Sequence, residues 1–295
     1  MSDPRILVLR GGAIGDFVLT FPVFQALRVE WPEVEIDVVG YPRIANLAQR
    51  AGLVSKVRSL DEAWVAQLFI PGAELPPAEK TYIQRFDFII SYLYDPDELL
   101  KNNLVSNGAK QVISGSHRRE DVTPHAIDFF MKPLSEFAIY PFNDVPVFGT
   151  CESPGEQRLI IHPGSGSPFK NWPLDRYIQL ASRWMERHGP VNVILGEVEQ
   201  GFATHIREGA PEINLIEGLE LTELAVELQR HDLYLGNDTG ISHLAAACGL
   251  PVTVLFGGTD PAIWAPRGPK VDVIRGASLH ALDVDEVYQK LCGCL

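Results

Sequence analysis

Basic residues are scarce in this chain: 25 Lys and Arg stand against 38 Asp and Glu among 295 residues, a formal net charge of −13. So acidic a protein is repelled by phosphate backbones and anionic lipid unless it carries a local basic patch, which sets nucleic acid aside as a partner. Long hydrophobic runs are lacking too. The longest uncharged stretch, Thr239 to Thr259, is interrupted by Gly240, His243, Gly249, Pro251, Gly257 and Gly258, unlike a transmembrane helix. The opening apolar run, Ile6 to Leu9, lacks the length and flanks of a signal peptide, so a cytoplasmic location is expected. Cysteine occurs only at 151, 248, 292 and 294, without the paired CxxC spacing of a zinc site. Reduced thiols and no bound metal are expected, a redox or metal pair at Cys292 and Cys294 being the alternative.

What is present is the composition of an ordinary folded protein, 46% hydrophobic and 21% charged. At roughly 100 to 200 residues per domain the length predicts two domains. Ile6 to Leu9 ends in Gly11-Gly12 and reads as a buried parallel strand entering a turn. Phe17, Phe21, Phe24 and Leu27 then recur at helical period, with Pro22 predicting a kink. Val34 to Val39 and Phe86 to Tyr92 read as strands, 71 to 77 as loop, and Asp121 to Leu134 as a helix. Pro141, Pro146, Gly149 and Pro154 mark a linker, placing the boundary near residue 150 between domains 1–150 and 151–295.

In the second half short aliphatic runs alternate with amphipathic stretches: 158–162, 191–195, 213–216, 233–235, 252–256 and 271–274. That alternation predicts βαβ units, and the two halves read as two Rossmann-like, doubly wound α/β domains with parallel sheets. Ligands bind outside the C-terminal ends of such strands. There the chain places His162-Pro-Gly-Ser-Gly-Ser-Pro-Phe-Lys170-Asn-Trp-Pro, Gly196-Glu197, Gly236-Asn-Asp238-Thr-Gly240 and Gly257-Gly-Thr-Asp260. Ser165, Ser167 and the backbone of their loop, with Lys170 as a point charge, suit phosphate oxygens; a surface turn with a solvated lysine is the alternative. Thr239, Gly240 and His243 open a helix whose free amides favour an anion. Asp238 is expected to cap that helix, with ligand contact as a second role. Glu197 is placed to accept from ribose hydroxyls or to lie exposed, and His243 to be packed or to touch ligand.

In the first half, Arg10-Gly-Gly-Ala-Ile-Gly15-Asp16 departs from the G-x-G-x-x-G fingerprint, because Arg10 stands where its first glycine belongs. The acid expected about 20 residues on is also missing after Val39, which weakens a nicotinamide-dependent dehydrogenase. Asp16, in the first residues of a helix, is either a cap or a general base.

These motifs resemble glycosyltransferase family nine, the bacterial enzymes typified by ADP-heptose:lipopolysaccharide heptosyltransferases. The carriers are Ile6 to Asp16 with Pro22, His162 to Pro173, and Gly236 to Ala246, while residues 55 to 120 match weakly. The resemblance implies a GT-B architecture, two Rossmann-like domains facing a cleft, acceptor side first and donor side second, the last helix returning across the boundary. It implies inverting transfer with Asp16 as base, Lys170 on the donor phosphates, Asp238, Thr239, Gly240 and His243 in the donor turn, and Glu197 or Glu199 on the ribose. It also implies a nucleoside diphosphate sugar, ADP-linked, as substrate, no metal or other cofactor, and a cell-envelope glycan or glycolipid as acceptor. Arg118-Arg119 would serve a peripheral membrane contact or form a solvated loop. A GT-B nucleotide-sugar epimerase and a non-catalytic nucleotide-sugar binder are the alternative functions.

Overall fold

The computed structural model describes residues 3–115, 125–140, 143–149 and 155–294. It divides into two units, Met1–Asp144 and Val145–Leu295. The division falls a few residues before the expected position, and the Phe148 amide already donates to the Ala247 carbonyl (2.8 Å) of the second unit.

The first unit runs β1 (Arg5–Arg10), α1 (Ile14–Val18), α2 (Phe21–Glu30), β2 (Glu35–Gly40), α3 (Pro42–Arg50), β3 (Lys56–Ser59), α4 (Ala63–Gln67), α5 (Pro77–Gln84), β4 (Phe88–Ser91), α6 (Leu99–Ser106), β5 (Val112–Ser114) and α7 (Ala126–Met131). Its strands form one sheet in the order β3-β2-β1-β4-β5, with every pairing parallel. Ile6 to Leu9 are fully buried, as both faces of a helix-covered parallel sheet require. The helical stripe Phe17, Phe21, Phe24 and Leu27 is buried as well, but on two helices rather than a kinked one. Pro22 sits in the first turn of α2, where its missing N–H leaves no bond unmade. Of the helix expected over Asp121 to Leu134, α7 and a 3₁₀ turn at Lys132–Phe137 are observed, while 121–124 lie outside the described residues.

The second unit runs β6 (Leu159–His162), α8 (Leu174–Arg187), β7 (Val191–Leu195), α9 (Gln200–Gly209), β8 (Asn214–Glu217), α10 (Leu221–Leu228), β9 (Leu233–Asn237), α11 (Gly240–Ala247), β10 (Val252–Phe256), α12 (Pro261–Trp264), β11 (Val271–Arg275) and α13 (Val284–Cys292). The six expected runs are the six strands of one parallel sheet, ordered β11-β10-β9-β6-β7-β8. One face carries a core of Leu159, Ile161, Leu235, Trp172, Leu180 and Trp184. The last helix, α13, adds Val287, Tyr288 and Leu291 to that same core. Tyr288 meets Trp184 at 6.2 Å and Arg183 at 3.9 Å, so α13 packs on α8 of its own unit.

In each sheet the strand order reverses once, between β1 and β4 and between β6 and β9. These switch points are where a doubly wound sheet opens a crevice at its C-terminal edge.

Candidate functional site

At the second unit's switch point, His162 ends β6 opposite Gly236 of β9. The loop that follows β6 is fastened to β9 by Asn237, which is fully buried. Its amide nitrogen donates to the Pro163 carbonyl (2.8 Å), and its Oδ1 accepts from the Trp172 amide (3.1 Å) and the Tyr177 hydroxyl (2.9 Å). Its own carbonyl accepts from the Ser242 hydroxyl at 2.6 Å, which ties the loop to the first turn of α11. Asn237 was not singled out from the sequence; its signal was adjacency to Asp238 in Gly236-Asn-Asp.

Within the loop Ser165 is buried, and its hydroxyl lies 2.6 Å from both the Ser167 carbonyl and Asn171 Oδ1, serving the loop's own geometry. The Ser167 side chain is half-buried and engages no group among the described residues. Lys170 crosses to β9: its Nζ lies 3.0 Å from Asp238 Oδ2, an oxygen that also accepts from the Thr259 hydroxyl at 2.6 Å. Asp238 is therefore not the cap of α11. That position belongs to Thr239, whose side chain makes no capping bond, so the carboxylate is free to hold Lys170 beside the helix end. Thr239 and Gly240 are half-buried at that end, and His243 is buried one turn in.

Of the two acids after β7, Glu197 is exposed and Glu199 is buried. The Glu199 carboxylate accepts from the Gly196 amide at 2.9 Å and presses on the loop start, where a Cβ on Gly164 would stand 1.9 Å from Oε1. A side chain at 164 would therefore have to displace the Glu199 carboxylate. His162 is buried with Nδ1 unpartnered, and burial pushes its pKa down to about 4, so the ring is neutral at pH 7. These groups form a cradle of one cation, helix amides, a hydroxyl and a buried carboxylate at one sheet edge. Its chemistry is that of an anion site flanked by a hydrogen-bond acceptor.

At the first unit's switch point, Gly12 takes φ +101°, a turn that suits glycine, and Asp16 stands half-buried in α1. Asp16 Oδ2 accepts from the Ala13 amide at 3.4 Å, a long capping contact, while its Oδ1 engages no group among the described residues. Arg10, read from the sequence only as a missing glycine, lies buried beneath Asp16.

Elsewhere, no disulfide joins Cys248, Cys292 and Cys294 among the described residues, Cys151 lying outside them, and Cys294 Sγ is 3.1 Å from Asp272 and Cys292 Sγ 3.6 Å from His188. No described helix is long and apolar enough to cross a membrane. Arg118 and Arg119 lie outside the described residues.

The model of glycosyltransferase family 9 (heptosyltransferase) matches residues 123–291, more than half of the chain. Lipooligosaccharide heptosyltransferase 2 of Haemophilus influenzae is 23% identical over 311 residues, spanning 92% of this chain and 88% of that protein. Among solved structures, a glycosyl transferase family 9 protein from Veillonella parvula superposes with a TM-score of 0.83 at 18% identity, over 99% of this chain and 97% of that one. The E. coli heptosyltransferase WaaC with ADP gives 0.77 at 17% identity, over 99% and 100%. Two parallel-sheet α/β domains of GT-B type are the architecture in common. With its carrier motifs set at the two sheet edges and its sequence matched by the family model, the chain belongs to glycosyltransferase family 9 and is a glycosyltransferase.

Proposed function

We propose that this glycosyltransferase is inverting, and moves heptose or a related sugar from an ADP-linked donor to a hydroxyl of a cell-envelope glycan or glycolipid. The single observation that carries the donor side is Lys170 held at 3.0 Å from Asp238 beside the uncapped end of α11, at the switch point of the second sheet. Lys170, the Ser167 hydroxyl and the first amides of α11 take the diphosphate, with Thr239, Gly240 and His243 lining the turn. Glu199, pressed on the loop, takes the ribose; Glu197, more exposed, is the weaker candidate. The names of the relatives, heptosyltransferases in Haemophilus influenzae and E. coli and one solved with ADP, support the sugar and the nucleotide.

Asp16 takes the proton of the acceptor hydroxyl, whose oxygen attacks the anomeric carbon as the bond to the diphosphate oxygen breaks on the opposite side. Charge developing on the leaving diphosphate is met by Lys170 and the α11 amides. No resident cofactor enters this scheme, and transfer is expected to persist in EDTA.

Thermal unfolding with saturating ADP, UDP, GDP, dTDP or NAD tests the donor assignment. A ligand at 100 times its Kd adds about 2.7 kcal/mol, a midpoint shift of a few degrees. Selective stabilisation by ADP is the expected result. Stabilisation by another nucleoside diphosphate alone replaces the nucleotide, and by NAD alone overturns the scheme.

A further inference from the structure

Resting on the reading of Asp16 as the base, we propose that Arg10 is the positioning residue of that base: its guanidinium, buried under α1, fixes the Asp16 main chain and so the direction of the carboxylate. Arg10 is the last residue of β1, next to β4 at the switch point of the first sheet, and is 2% exposed. No described carboxylate lies within ion-pair distance of it. Its planar group instead lies 4.3 Å from the Phe130 ring and 5.3 Å from that of Tyr92, whose hydroxyl donates to the Phe130 carbonyl at 2.7 Å. A buried cation without a contacting anion is costly to keep, and an apolar residue would fill the same box more cheaply.

What the cation does is visible at the end of α1. The Thr20 amide donates to the Phe17 carbonyl, not to that of Asp16 four residues back, so the helix stops and the Asp16 carbonyl loses its usual partner. Arg10 Nη2 donates to that carbonyl at 2.9 Å, and the Thr20 hydroxyl donates to it at 2.9 Å. Arg10 Nε donates to the same hydroxyl oxygen at 3.1 Å, closing a ring of three hydrogen bonds. The ring is buried, whereas the Asp16 carboxylate is half-exposed and held only by the long contact to Ala13. The direction of the carboxylate is therefore set from its main chain. Burial lowers the pKa of the guanidinium, and the charge of Asp16 works against that shift.

The test compares Arg10→Met, Arg10→Lys, Thr20→Val and Asp16→Asn with the wild type. Release of ADP from ADP-heptose is followed with heptose-deficient lipooligosaccharide as acceptor, and ADP affinity is measured by calorimetry. A misplaced base costs on the order of 10²-fold in turnover. Arg10→Met is expected to lose about that much kcat, with donor KM and ADP affinity within about twofold; Arg10→Lys and Thr20→Val are expected to lose roughly tenfold each. A merely structural role lowers the melting temperature but leaves kcat per folded molecule unchanged, and that result in Thr20→Val and Arg10→Lys overturns the proposal. Turnover retained in Asp16→Asn overturns the base assignment and the proposal with it, whereas a dead Asp16→Asn beside fully active Arg10 and Thr20 variants removes only the positioning role. Crystal structures of wild type and Thr20→Val give a second measurement that needs no substrate: a displaced or split Asp16 carboxylate is expected, and an unmoved one overturns the proposal.

Discussion

Single side chains at the sheet edges carry measurable consequences of their burial. His162 keeps a pKa of about 4 in the folded chain against 6.5 when exposed, because the buried ring resists protonation. Between those values the unfolded chain binds a proton that the folded one refuses. The contribution of His162 is therefore fully present above pH 6.5 and is lost as the pH falls toward 4. The loss amounts to about 3 kcal/mol. Urea unfolding of wild type and His162→Asn at pH 7 and pH 4.5 should show a shallower pH dependence in the variant; parallel curves would contradict the buried neutral ring. Lys170 behaves differently, since its side chain is 41% exposed and its pair with Asp238 adds little to folding. Lys170→Met is expected to leave the melting temperature nearly unchanged and to weaken ADP binding by roughly tenfold, about 1.4 kcal/mol, read by calorimetry.

At the scale of elements, Asn237 ties the loop after β6 to the end of β9. Its side chain holds Pro163, Trp172 and Tyr177 at once. Asn237→Ala leaves buried donors and an acceptor without partners, each costing roughly 1–3 kcal/mol. A fall in melting temperature of several degrees and loss of the ADP response are expected together; a stable variant that still responds to ADP would show that the loop holds itself. Gly164→Ala sets a Cβ against Glu199 and should displace the acid, weakening ADP more than it lowers stability. Most of these elements were legible: the aliphatic runs, the buried stripe of Phe17, Phe21, Phe24 and Leu27, and Pro173 ahead of α8 all follow from period and from proline chemistry. The split of α1 from α2 was not. Pro22 signalled only a kink, and the bonds made at the break by the Thr20 hydroxyl and by Arg10, ten residues earlier in the chain, join residues that no local pattern links.

At the scale of the molecule, the second unit holds a complete six-stranded sheet and its own core, sealed by α13 on α8. Residues 145–295 expressed alone are expected to unfold cooperatively and to respond to ADP. At about 150 residues a 2.7 kcal/mol gain raises the midpoint by roughly 5–10 °C. A fragment without a cooperative transition would mean that the core needs the first unit.

The two parallel sheets, the order of their strands along the chain and the glycine- and serine-rich loops at their ends were determined by the sequence itself, because periodicity and turn chemistry act over neighbouring residues. Which of those residues meet was decided only by the tertiary structure. The reversal of strand order brings Lys170 to Asp238 across 68 residues and Thr259 to the same carboxylate, and it turns Asp238 from an expected cap into the partner of a lysine. Glu199 is separated from Glu197 by burial, a property of the packed sheet edge that no spacing encodes. Arg10 marks the limit most clearly: within its own strand it is a glycine missing from a motif. Its role as a cation beneath Asp16 requires Tyr92 and Phe130, brought by β4 and α7.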